Sequence, residues 1–209
     1  MKIIGFVGLP GSGKGEASKI ARHRGLAVVV MGDVIREEAA QQGLEPTDQN
    51  LGRIGNALRA KDGPDAIAKR TLDQVIATGK DVVVVDGLRS KAEADFFRAH
   101  AEEFHLVEVY APTEARLKWL ATRGRPDDPG SSPKNEKNIA IISQQDSCAV
   151  ALEERESREM GWGMYEAIKA ADMSLRNDRS LDDFRKNVEM VLGLLGTDAA
   201  SSDDPKTNS

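Results

Sequence analysis

Short apolar, β-branched runs alternate with longer stretches of helical periodicity along this chain of 209 residues. KIIGFV (residues 2–7), AVVVM (27–31), DVVVVD (81–86) and HLVEVY (105–110) read as strands, and MSLRN (173–177) as a weaker fifth. Uninterrupted valines predict strands buried on both faces, as in a parallel sheet lying between helices. The helical stretches fit their boundaries. One predicted over 16–24 ends before Gly25, and Asp33 is placed to cap another through Gln42, which Gly43 stops. A third runs from about Asp48 to Gly63. Pro64 suits the first turn of the next, which reaches Thr78, and 90–100, 113–123 and 180–195 complete the set. Strands separated by helices predict right-handed crossovers and an α/β fold: a doubly wound, parallel five-stranded sheet flanked by helices.

One segment breaks this rhythm. GRPDDPGSSPKNEKNIA (124–140) is dominated by proline, glycine, serine and charge, and a stretch this long inside a compact domain is functional or unstructured. The last residues, 196–209, are too poor in apolar side chains to pack and read as a disordered tail. The expectation is one domain over 1–195.

Composition narrows the setting. Hydrophobic residues make up 40% and charged residues 30%, as in an ordinary globular chain. The net charge of -5 offers no global basic field, so no nucleic-acid partner is expected. Cys148 is the only cysteine, which excludes a disulfide framework and a zinc cluster and suits a reducing cytoplasm. The apolar run at the N-terminus is too short to span a bilayer and leads straight into a glycine-rich loop, so it reads as a strand, with no membrane association expected.

That loop carries the chemistry. Gly8-Leu9-Pro10-Gly11-Ser12-Gly13-Lys14 matches the first seven positions of G-x-x-x-x-G-K-[ST], between a strand and a helix. Glycines let backbone N–H groups turn inward around phosphate oxygens, and the following helix adds the positive end of its dipole. Lys14 supplies a mobile charge for the β- and γ-phosphates of ATP. Gly15 and Glu16 stand where a hydroxyl near magnesium is usual. Two readings of Glu16 stay open: a magnesium contact through water, or a negative charge favoured at the helix N-terminus. Four valines leading to Asp86 look like a Walker B strand, whose carboxylate binds Mg2+. Asp86 as a turn cap is the plainer alternative.

The loop's form, G-x-P-G-S-G-K-G, resembles that of adenylate kinases and related small nucleotide kinases, where a threonine follows the second glycine. The resemblance extends along the chain. Gly32, Asp33 and Arg36 in MGDVIREEA match a T-G-D-x-x-R stretch whose arginine contacts the acceptor monophosphate, with Met31 replacing the threonine. Asp86-Gly87-Leu88-Arg89 is similar to D-G-F-P-R, one residue short, and Arg89 becomes a second acceptor-phosphate ligand. Arginine suits that task because its planar fork binds phosphate bidentately. These segments imply acceptor-binding helices over about 32–79.

In that family a lid carries arginines to the transferred phosphoryl group. Here the implied lid is about 124–145, with Arg116 and Arg123 before it, Arg125 at its start, and Arg155 and Arg158 on the returning helix. The plainer alternative is a solvated face laced with Glu153, Glu154, Glu156 and Glu159. Asn177 matches the residue of a loop that passes the adenine ring, or is a turn residue. His23, His100 and His105 form no ligand set, and Trp119 and Trp162 read as packing. MGDVIREE, DGLRS, RGRPDD and WGMYEAI together resemble an archaeal, adenylate-kinase-related P-loop group, akin to nucleoside monophosphate kinases and dephospho-coenzyme A kinases. The implied activity is transfer of the ATP γ-phosphate to a small nucleotide-like acceptor, a nucleoside monophosphate first. A dephospho-coenzyme A kinase, with Asp33 as base, and a nucleotide-dependent switch are the alternatives.

Overall fold

The valine runs become the centre of the sheet. The computed structural model describes residues 1–123 and 144–196. Its strands are β1 (Lys2–Val7), β2 (Ala27–Val30), β3 (Val82–Leu88), β4 (Glu103–Tyr110) and β5 (Met173–Arg176), all parallel in the order β2-β3-β1-β4-β5. The helices are α1 (Lys14–His23), α2 (Met31–Gln41), α3 (Asp48–Asp62), α4 (Ala66–Ala77), α5 (Lys91–His100), α6 (Thr113–Arg123), α7 (Gln144–Gly161), α8 (Met164–Lys169) and α9 (Leu181–Gly196).

Successive strand residues bury on opposite faces, as the pleat requires. Ile3, Val83 and Val85 pack with α2 to α5 and α8. Ile4, Phe6, Val82 and Val84 pack with α1 and α9. Both layers are apolar, which is why the strands read as continuous hydrophobic runs.

Two expectations need correction. Asp33 does not cap α2: the helix starts at Met31 from an extended Val30, with no side-chain cap bond. Asp33 falls in its first turn and pairs with Arg36 instead. The short helix α8 was not foreseen, since six residues are too few to display a period. Where caps carry the boundary, the reading holds. The Thr47 hydroxyl opens α3, and Ser90 with Glu93 forms a capping box on α5.

The topology fixes where a site can lie. All strands end at one edge. The chain leaving β1 goes to α1 on one face, while that leaving its neighbour β3 goes to α5 on the other. A crevice opens between such diverging connections. A bulge sharpens it: Phe6 pairs with Asp86 but Val7 with Leu88, so Gly87, at φ 100°, is the extra residue just after Asp86. Among the described residues, no helix is long and apolar enough to cross a membrane. The expected lid lies outside the described residues up to 143, residues 144–145 open α7, and the tail from 197 also lies outside them.

Candidate functional site

Residues 8–13 form the loop between β1 and α1, and Lys14, Gly15 and Glu16 open the helix. Two glycines show why it needs that composition. A Cβ on Gly8 (φ 148°) would sit 2.2 Å from the Val109 carbonyl oxygen, and one on Gly13 (φ 114°) 2.5 Å from Asn177 Nδ2. No side chain fits either position. Lys14 Nζ donates to the carbonyls of Gly8 (2.5 Å) and Leu9 (3.1 Å). Burial pushes its ammonium down to about 8, against the pull of Asp86 and Glu159. Ser12 is 1% exposed, and its Oγ has no hydrogen-bond partner among the described residues. A buried hydroxyl left without a partner in a glycine-rich loop fits an anionic oxygen as its acceptor.

Three side chains brace the loop from far along the chain. Arg116 on α6, 2% exposed, donates to the carbonyls of Pro10 (3.2 Å) and Ala111 (3.2 Å) and to Thr113 Oγ1 (2.9 Å), and pairs with Glu156. It is therefore a strut and not one of the lid arginines. Asn177 Nδ2 donates to the Ser12 carbonyl (3.0 Å), so its amide holds the loop while the residue lines the cavity. Glu16 makes no cap bond in α1. Its Oε1 accepts from Arg185 Nε (2.9 Å) and an Arg185 Nη (2.8 Å) on α9, and that guanidinium holds the carboxyl below its usual range.

The crevice contains a cavity of about 550 Å³, lined in part by Lys14, Arg36, Asp86, Arg89, Arg155 and Glu159. Asp86, 8% exposed at the end of β3, accepts a 2.8 Å hydrogen bond at Oδ2 from the buried Ser18 hydroxyl. The hydroxyl absent from positions 15 and 16 thus arrives a turn later on α1, oriented on the carboxylate. Asp86 is the side chain suited to hold a magnesium ion whose remaining ligands are phosphate oxygens and water. No group of three or more His, Cys, Asp or Glu among the described residues could hold a metal by itself.

Glu159 was read only as part of a charged face. It is 2% exposed, with Oε1 at 3.1 Å from both Arg89 Nη1 and Arg155 Nε. Burial alone would raise its carboxyl, but Arg89, Arg155 and Lys14 outweigh that and hold it below the usual range. Arg89 is set in turn by Glu93, whose Oε2 accepts from the Arg89 backbone N–H (2.7 Å). Burial lowers the Arg89 guanidinium, with Glu159 opposing.

Arg36, expected at the acceptor, borders the cavity and donates to Asp33 Oδ1 (2.7 Å). Asp33, with 53% of its side chain exposed, does not line the cavity, so it positions Arg36 and is not placed as a base. Arg158, expected at the transferred phosphoryl group, turns to Asp48 on α3 (2.9 and 2.8 Å) and borders a narrow side pocket shared with Arg36 and Arg89. Arg155, one helical turn earlier, takes the place at the cavity. Both pair with Asp48 at the start of α3, Arg155 at 3.4 Å and Arg158 at 2.8 Å, but only Arg155 also reaches Glu159 and the cavity. The side chain of Arg123 and all of Arg125 lie outside the described residues. Trp119 is not core packing: it is 37% exposed and lines the cavity. Trp162 carries Arg59 over its ring at 4.1 Å.

Residues 7–134 match the family described as an AAA domain. A UPF0200 protein of Methanothrix thermoacetophila is 50% identical over 192 residues, spanning 92% of this chain and 97% of that one. A UPF0200 protein of Halobacterium salinarum is 41% identical over 208 residues, 98% of each. The chain belongs to the UPF0200 family. Among solved structures, TT1252 from Thermus thermophilus superposes with a TM-score of 0.57 at 19% identity, over 92% of this chain and 97% of that one. A shikimate kinase from Bacteroides thetaiotaomicron gives 0.50 at 12% identity, over 93% and 98%. At these identities the likeness is one of fold. For this UPF0200 chain the expected P-loop kinase-like architecture and archaeal kinship are both met, and the fold implies a nucleotide site.

Proposed function

We propose that this protein is a phosphotransferase moving the γ-phosphate of ATP to a phosphate-bearing, nucleotide-like acceptor, with nucleoside monophosphates the first to test. One observation carries the reading: the phosphate loop with Lys14 and the arginines expected at the acceptor, Arg36 and Arg89, line a single cavity. ATP phosphates in the loop would take up Lys14 and the orphan Ser12 hydroxyl. Arg36 and Arg89 supply guanidinium groups for the acceptor's own phosphate. Lys14, Arg89 and Arg155 all line the cavity, which supports catalysis by positioning and electrostatics. Magnesium, when bound, would neutralise phosphate charge; Asp86 would hold it, kept in orientation by Ser18.

The test is an acceptor screen with γ-labelled ATP. Transfer to an acceptor supports the proposal; stoichiometric ATP binding with only slow hydrolysis would favour a switch. Arg36→Ala is expected to raise the acceptor KM tenfold or more and leave ATP affinity within about twofold, since Arg36 belongs to α2 and not to the loop or α1. A loss of ATP affinity instead would move Arg36 to the nucleotide side. Asp86→Asn is expected to raise the magnesium concentration needed for half-maximal turnover. Ser18→Ala, which keeps the carboxylate but frees it to rotate, should move it the same way by about tenfold. Magnesium titrations superimposable on wild type would remove Asp86 from the metal.

A further inference from the structure

The cavity contains one carboxylate that a phosphate-to-phosphate transfer does not need. Glu159 is buried at the cavity wall beside Arg89 and Arg155 and within electrostatic reach of Lys14. Arg155 Nε hydrogen-bonds Oε1, and the ion-pair contact of Arg89 Nη1 falls on the same oxygen. Among the described residues no donor bonds Oε2. One oxygen is locked by cations and the other is left as an acceptor.

A carboxylate bordering a triphosphate is costly, because like charges meet in a site closed to water. The cost falls when a proton donor lies between them. An acceptor phosphate cannot be that donor, since its attacking oxygen is already anionic. An alcohol can: its O–H points at the carboxylate and its lone pair at phosphorus. Asp33, the other carboxylate considered for this role, is exposed and outside the cavity.

From this we infer that the atom phosphorylated is a hydroxyl oxygen of a phosphate-bearing acceptor, oriented and deprotonated by Glu159 Oε2, so that the product is a phosphate monoester. This rests on the kinase reading above. The alcohol oxygen bonds to the γ-phosphorus, the bond from that phosphorus to the β–γ bridging oxygen breaks, and ADP leaves with that electron pair. The hydroxyl proton passes to Glu159 and then to solvent. The flanking cations keep the carboxylate ionised, so it is ready to take a proton late, once the forming P–O bond has made the alcohol acidic. The acceptor's existing phosphate stays on Arg36 and serves as its anchor.

The experiment follows the chemical nature of the product in wild-type protein. AMP offers both kinds of nucleophile in one molecule, a 5′-phosphate and ribose hydroxyls; dephospho-coenzyme A offers a hydroxyl beside a blocked phosphate. Each is incubated with γ-labelled ATP, and the product is treated with hot acid and examined by 31P NMR. An acid-stable monoester from either is expected. An acid-labile anhydride, AMP becoming ADP, overturns the inference and leaves the kinase reading standing. Transfer to neither acceptor fails both. Glu159→Gln, in protein shown folded by circular dichroism, is expected to lower kcat by about 10²–10⁴-fold, the usual contribution of a positioned base, with KM for ATP within about threefold. A kcat within threefold of wild type would overturn the role of Glu159. A fall confined to ATP or acceptor affinity would do the same, since a carboxylate that merely holds Arg89 and Arg155 acts on phosphate binding.

Discussion

Lys14→Met is expected to abolish phosphoryl transfer, with a loss of about 10²–10³-fold or more, the scale for removing a preorganised donor to transition-state charge. The side chain lies at the mouth of the α1 dipole, beside Ser12 and facing Asp86 and Glu159. Arg89 and Arg155, the guanidinium groups paired with Glu159, are not substitutes, since neither belongs to the loop. Methionine keeps the volume, so a folded, inactive protein is the expected result. Turnover within tenfold of wild type would remove the loop from the chemistry. The same residue predicts a pH dependence. Its ammonium is pushed down to about 8 from 10.5. Bound phosphates favour the charged form, so ATP affinity should be steady below about pH 8. It should then fall by up to tenfold per unit above it, measurable by calorimetry. The sign for folding is opposite. The cost of the buried charge is present below about 8 and is relieved between there and 10.5, because the unfolded chain holds its proton longer over that window.

Arg116→Ala should produce the largest loss of stability among single changes at the site. It leaves the carbonyls of Pro10 and Ala111 without this donor, and Glu156 without its guanidinium. Breaking a buried pair from one side costs about 3 kcal/mol, the low end of the usual range because Glu156 is partly exposed. For a chain of this size that is roughly 6–12 °C in Tm. Arg116→Lys should recover little, since one ammonium cannot reach Pro10, Ala111 and Thr113 together. A shift under about 2 °C for alanine, by calorimetry, would show that the loop does not depend on this strut.

What the sequence disclosed, and what it hid, divides along the distance between partners. The phosphate loop was legible because its residues are contiguous and its strand–helix setting can be read on either side. So were the valine strands, whose burial on both faces leaves no polar interruption, and the helix starts near Asp48 and Ser90; the Thr47 and Ser90 caps that fix those starts were not singled out. The role of Asp86 was legible as a type but not its partner, since Ser18 lies 68 positions away. Arg116 and Arg158 were read as one population of lid arginines. Nothing local to either records that one meets Pro10 and the other Asp48. Glu159 sits among Glu153, Glu154 and Glu156 in sequence, and a helix of mixed charge does not announce which carboxylate faces inward. A spacing count offered one signal: Arg155 and Glu159 are four apart, and a face built from them lies next to Trp162 and away from Glu153.

The braces on the phosphate loop also set an order of events during synthesis. A nascent chain emerged only through α5 already contains every residue from Gly8 to Glu16 and also Ser18 and Asp86. Yet it has none of Arg116, Asn177 and Arg185, which hold Pro10, Ser12 and Glu16. Since chains emerge at roughly 5–20 residues per second, the 169 positions between Glu16 and Arg185 separate the loop's translation from that of its last support by roughly 10–30 s. Nucleotide capture is therefore expected only of the finished molecule, and a ribosome-bound fragment stalled before Asn177 should not retain ATP.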